Sequence, residues 1–231
     1  MASGSIHVAG VIDIAEARLL IECGVRYLGF PLVLDCHKED LTTDAAAAIV
    51  SELGSQATFF LITYLNRAGA ILELCRTLSV NMVQLHGETD LEQIQLLKQE
   101  DPQLKIVKSL IVRGSNMGTL IDEVRCYEAS VDSFITDTFD PVTGASGATG
   151  RVHDWEISRR LVASSARPLI LAGGLNAGNV RQAIRTVRPA GVDVHTGIEG
   201  RDGRKRYDLT RRFVKEAQIG FSEIELEPDV C

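Results

Sequence analysis

Short apolar runs alternate with amphipathic helical stretches eight times along this chain, and few architectures accept that pattern. The apolar runs cover 5–10, 27–34, 57–63, 81–86, 104–112, 131–137, 167–171 and 191–194. Helical periodicity follows each, over 12–23, 43–53, 67–78, 90–99, 117–128, 154–163, 177–187 and 208–218. A strand that must cross back through a helix before the next strand builds a parallel sheet. Eight evenly spaced units predict an α/β fold, a single-domain (β/α)8 TIM barrel over residues 1–220. An open doubly wound sheet is the runner-up. From residue 221 the chain turns acidic, and 221–231 is expected to be a partly ordered tail.

The length of 231 residues allows one large core, and no Pro/Ser-rich tract or long charge block marks a linker. Net charge is −7, and aromatic residues make up only 5% of the chain, so a nucleic-acid partner is not expected. The one basic cluster is Arg201, Arg204, Lys205 and Arg206, which suits a small phosphorylated ligand better than a polymer. No apolar run reaches membrane-spanning length. Five cysteines without CxxC spacing, and no signal peptide, predict a reducing cytoplasmic location. Asp35, Cys36 and His37 are adjacent and cannot easily face one ion, so no metal or other cofactor is expected.

Two runs carry more chemistry than the rest. Leu169-Ile170-Leu171-Ala172-Gly173-Gly174-Leu175-Asn176 ends in bare backbone before a helix that Asn176 can cap. Gly191-Val192-Asp193-Val194-His195-Thr196-Gly197 follows about twenty residues later. Exposed amides beside a helix N-terminus bind anions, phosphate above all. Gly173, Gly174, Asn176, Thr196 and Gly197 are therefore candidate phosphate-site residues. Two tight turns without a ligand are the alternative.

Barrel enzymes work at the C-terminal ends of their strands. In this chain those ends carry His7 and Ala9, the 34–38 loop with His37 and Lys38, Thr63, Gln84 and His86, Lys108, Asp137, and His195. Polar groups collect there while mid-strand positions are apolar, which points to a small-molecule enzyme.

These residues resemble the phosphoribosylanthranilate isomerase family over roughly residues 6–219. The resemblance rests on Val83-Gln84-Leu85-His86-Gly87, Gly147-Ala148-Thr149-Gly150 before Asp154-Trp155, Leu171 to Leu175, Asn179-Val180, and Gly191 to Val194 through Gly197-Ile198-Glu199. It implies an Amadori rearrangement of a phosphoribosyl adduct in a tryptophan-biosynthesis-like context. The family's acid stands at the end of strand six, where this chain has Asp137. Its base is a cysteine in a Lys-Ile-Cys-Gly stretch ending strand one, where this chain reads His7-Val8-Ala9-Gly10. An arginine after strand two holds the substrate carboxylate in the family, and Lys38 is the nearest cation here.

Alanine accepts no proton, so His195, His7 and His37 join Asp137 as catalytic candidates, with Gln84, His86 and Lys38 as substrate contacts. His7 also fits a satisfied core histidine, and the 36–38 stretch a solvated loop. Three functions stay open: an isomerase with altered substrate; a lyase, aldolase or condensing enzyme on a similar ligand; or a silent phosphosugar-binding protein. A monomer and a homodimer are both compatible with the sequence.

Overall fold

The computed structural model describes residues 4–34, 41–114, 116–138 and 152–226. Eight parallel strands close in chain order: β1 (Ser5–Ala9), β2 (Tyr27–Pro31), β3 (Thr58–Thr63), β4 (Met82–Leu85), β5 (Lys105–Val112), β6 (Ser133–Thr138), β7 (Leu169–Leu171) and β8 (Gly191–Val194). The seam is real hydrogen-bonded sheet, with Ser5 opposite Gly191 and Val8 opposite Val194. That closure excludes the open doubly wound sheet.

The helices are α1 (Ile14–Glu22), α2 (Thr43–Leu53), α3 (Ala68–Leu78), α4 (Leu91–Glu100), α5 (Met117–Tyr127), α6 (Trp155–Ser164), α7 (Val180–Val187) and α8 (Tyr207–Leu226). Local chemistry sets several starts. Asp13 accepts the Glu16 amide at 2.8 Å, Thr42 the Ala45 amide at 3.3 Å, and Asp154 the Glu156 amide at 3.0 Å. Gly24, at φ +97°, takes the left-handed turn that ends α1.

Strand alternation splits the core in two. One face of each strand packs on the helices in a large cluster that includes Phe30, Leu61, Phe134 and Phe213. The other fills the barrel with Ala9, Phe60, Ile62, Met82, Val107, Ile135, Ile170 and Ala172. Gly29 gives these rings room: a Cβ there would lie 2.7 Å from both Phe60 and Ile62.

Two helix boundaries differ from the sequence expectation by three residues or more. The α7 helix starts at Val180, three residues after the predicted 177, because Asn176 folds a turn of its own: its Oδ1 accepts the Gly178 amide at 2.8 Å. The α8 helix continues through residues 221–226, which the sequence suggested were tail. Phe221 explains the extra turns: its buried ring lies 3.5 Å from where a Cβ on Gly4 would stand, so the helix seals the start of the chain. Among the described residues no helix is long and apolar enough to cross a membrane.

Candidate active site

Polar residues crown the apolar filling at the C-terminal ends of several strands, while Ser5, His7 and Ser133 lie deeper in the barrel. On β4 the inward series is Met82, Gln84 and His86. Gln84 Nε2 donates to Ser109 Oγ at 3.2 Å, and His86 Nδ1 meets the same hydroxyl at 3.2 Å. Ser109 thus orients both side chains, and the Tyr64 ring packs edge-on against His86 at 4.9 Å.

On β6 the inward series runs Ser133, Ile135, Asp137. Loss of solvent pushes the Asp137 carboxyl above its usual range, against the opposing pull of His86 and of the Thr138 amide, which donates to it at 2.8 Å. On β8 the series is Gly191, Asp193, His195. Burial and the charge of Asp137 push Asp193 up to about 8, and Lys205 offsets only part of this. Its Oδ1 is buried with no hydrogen-bond partner among the described residues. Two carboxyls facing one low-dielectric space cannot both ionise easily, so the pair holds a proton at neutral pH.

Asp193 was readable as part of a motif but not as a site residue. The signal was available, because a charged residue in mid-strand between Gly191 and His195 must face the barrel if His195 does.

The glycine turns of β7 and β8 lie against each other. Gly173 and Gly174 have φ of +99° and +63°, a region that favours glycine. Gly197, in the 3-10 turn Thr196–Ile198, leaves no space for a side chain: a Cβ would stand 1.8 Å from the Leu175 carbonyl oxygen. Asn176 and Asn179 both donate to the Gly174 carbonyl, at 3.5 and 3.0 Å, and stiffen the first turn. Gly173, Gly174, Asn176, Thr196 and Gly197 all retain solvent access at this rim.

Several expected residues stand elsewhere. His7 belongs to the core: it stacks on Tyr27 at 4.4 Å, meets Ser5 Oγ at 3.0 Å, and burial drops its imidazole to about 3. It stays neutral and sits one layer below Ala9. Lys108 points out of the barrel, since Val107 and Ser109 point in; its ammonium donates to the Gly87 carbonyl at 3.0 Å beside the Tyr127 ring.

The basic cluster is largely structural. Lys205 is buried on Glu199, Arg204 pairs with Asp13, and Arg206 lies 3.7 Å from Asp208. Thr63 accepts the Leu65 amide and supports the turn after β3. His37 and Lys38 lie outside the described residues, as does most of the glycine-bearing loop after β6. Among the described residues no three His, Cys, Asp or Glu side chains gather as a metal site.

Comparison with known proteins fits this geometry. The family model of N-(5'-phosphoribosyl)anthranilate isomerase matches residues 43–216. A Methanosarcina mazei relative, N-(5'-phosphoribosyl)anthranilate isomerase 2, is 34% identical over 220 residues, covering 95% of this chain and 96% of its own.

The chain belongs to the phosphoribosylanthranilate isomerase family.

Solved isomerases share its shape. The Thermotoga maritima phosphoribosylanthranilate isomerase superposes with a TM-score of 0.79 at 27% identity, covering 94% of this chain and 99% of its own. An isomerase crystallised with reduced 1-(o-carboxyphenylamino)-1-deoxyribulose 5-phosphate gives 0.77 at 26% identity, with coverage of 94% and 99%. The family-model match begins after β2, so both departures noted in the sequence, Ala9 and the 35–40 loop, precede it. Ala9 is buried and faces the interior of this isomerase-family barrel.

Proposed function

We propose that the chain catalyses the aldose–ketose isomerisation of N-(5'-phosphoribosyl)anthranilate, with Asp137 as the acid that opens the sugar ring. The observation that carries this reading is the place of Asp137: an inward carboxyl at the end of β6, removed from solvent and so pushed above its usual range, facing the same space as Asp193 and an oriented His86. A carboxyl whose environment strengthens its hold on a proton suits the ring-opening step. The facing glycine turns of β7 and β8 are the phosphate end of the site, and Gln84 and His86 line the sugar. The Mazei relative's near-complete coverage favours the parent reaction. Nothing in the comparisons favours an altered substrate, a lyase, aldolase or condensing reaction, or a silent binding protein.

The test is turnover of freshly made phosphoribosylanthranilate, with the ketose product identified by chromatography. Wild type is expected to turn over, and Asp137→Asn to lose ~10²–10⁴-fold in kcat. An inactive wild type would refute the isomerase reading. An unimpaired Asp137→Asn would remove that residue from the acid role.

A further inference from the structure

We propose that His195 is the base of this reaction and that Glu199 positions it. The inference rests on the isomerase reading above. Isomerisation requires a group that takes a proton from sugar carbon 2, and Ala9 offers none.

Among the described residues, four inward titratable side chains reach the mouth: His86, Asp137, Asp193 and His195. The two carboxyls are held toward their protonated forms, and His86 is bound to Ser109 and faces Asp137. His195 has the placement the reaction needs. The β1–β8 register pairs Val8 with Val194, so one residue further along Ala9 falls opposite His195.

The imidazole then leans over the end of β1. A Cβ on Gly10 would come within 2.2 Å of His195 Nε2 and 2.7 Å of Cε1, so the ring occupies the space that the glycine leaves. The His195 side chain is 28% exposed.

A charged frame holds the ring in place. His195 Nε2 lies 3.4 Å from Glu199 Oε1. Lys205 Nζ donates to that same oxygen at 2.7 Å and to the Gly10 carbonyl at 3.2 Å, and its side chain is only 1% exposed. Glu16 accepts the Lys205 amide at 2.8 Å and locks the far side. A carboxylate facing Nε2 favours the tautomer with the proton there and the lone pair on Nδ1, and it stabilises the imidazolium formed on proton uptake. Gly10, His195, Glu199 and Lys205 thus form one cluster that closes on the strand end lacking its own base.

The proton balance is complete. Asp137 gives its proton to the ring oxygen as the bond from that oxygen to carbon 1 breaks, and the nitrogen lone pair forms the iminium. His195 takes the carbon 2 proton. The C–H electron pair becomes the carbon 1–carbon 2 double bond, and the iminium pair returns to nitrogen. The imidazolium then protonates carbon 1 while the enol hydroxyl returns its proton to the Asp137 carboxylate. The ketose forms and both groups are restored without an oxidant or a reductant.

The test compares wild type, His195→Asn, Glu199→Gln and the double variant Ala9→Cys/His195→Asn on ordinary phosphoribosylanthranilate and on substrate deuterated at carbon 2. For His195→Asn, kcat is expected to fall ~10²–10⁴-fold with KM little changed, and the deuterium effect on kcat to increase. Glu199→Gln is expected to lower kcat by ~10-fold, again with KM little changed, a split that a merely structural residue would not give. The double variant is expected to regain part of the lost kcat. An active wild type matched by a folded His195→Asn within about threefold, with an unchanged deuterium effect, overturns the base assignment and leaves the isomerase reading intact. A wild type without turnover refutes both.

Discussion

The two ends of the barrel seam treat function differently. At β7–β8 the ligand-facing surface is backbone, and its shape depends on the absence of side chains at Gly173, Gly174 and Gly197. At β1–β2 the surface is side chain, and the residue expected to do chemistry is gone. A backbone cradle cannot be relocated, because the turn itself is the binding group. A proton acceptor can be supplied from a neighbouring strand if register and space allow, and His195, leaning over Gly10, is placed for it.

The largest expected effect lies at the backbone end. Gly197→Ala would drive a methyl to 1.8 Å from the Leu175 carbonyl oxygen, and both chains there are backbone that cannot rotate away. The turns must separate, at a cost of ~3 kcal/mol or more. Urea unfolding should show that loss, and inorganic phosphate should compete far less well with substrate. A variant of native stability and native phosphate affinity would mean that the two turns are not a single rigid cradle.

An intermediate effect is expected between the two ends, at Asp193. Its carboxyl stands at about 8 against an ordinary 3.8. Between those values the folded chain binds more protons than the unfolded one. Stability from this group is therefore complete below about pH 4 and lost as pH rises through about 8. Asp193→Asn removes the dependence. Above pH 8 the variant should melt higher than wild type, by ~2–4 °C for each kcal/mol recovered in a domain of this size, and the gap should close toward pH 4. Parallel melting curves at all pH values would show that the Asp193 carboxyl is not held protonated by the fold.

Much of this arrangement was legible in the sequence, and the failures have physical causes. Eight even alternations favoured a barrel over an open sheet, the β1–β8 pairing decides between them, and the glycine turns announced themselves by composition. Asp137 was placed by its position at the end of strand six, where the resembled family carries its acid, and strand parity in the structure turns it inward. The same parity, applied to β5, turns Lys108 outward, since Val107 and Ser109 take the interior. Its position near the end of the strand had placed it in the site.

Lys205 misled in the opposite sense. It reads as part of a basic cluster, yet it is buried on nearby Glu199 and on the Gly10 carbonyl, and the second contact is long-range and carried by no local pattern. The end of α8 was missed for a similar reason: its acidic residues look like tail, while Phe221 reaches back 217 positions to Gly4.

The smallest expected effect is the one that sharpens the comparison most. Ala9→Cys in the otherwise native chain restores a thiol to the β1 end, beside an imidazole already braced by Glu199. If His195 is the working base, the thiol adds little, and kcat should change by less than ~10-fold. The same substitution made with His195→Asn should matter much more, because the thiol then has the proton to itself. The two substitutions are thus expected to be strongly non-additive, as groups competing for one role are. Additive effects, or a gain of ~100-fold or more from Ala9→Cys alone, would mean that the β1 end lacks a base and that nothing on β8 has replaced it.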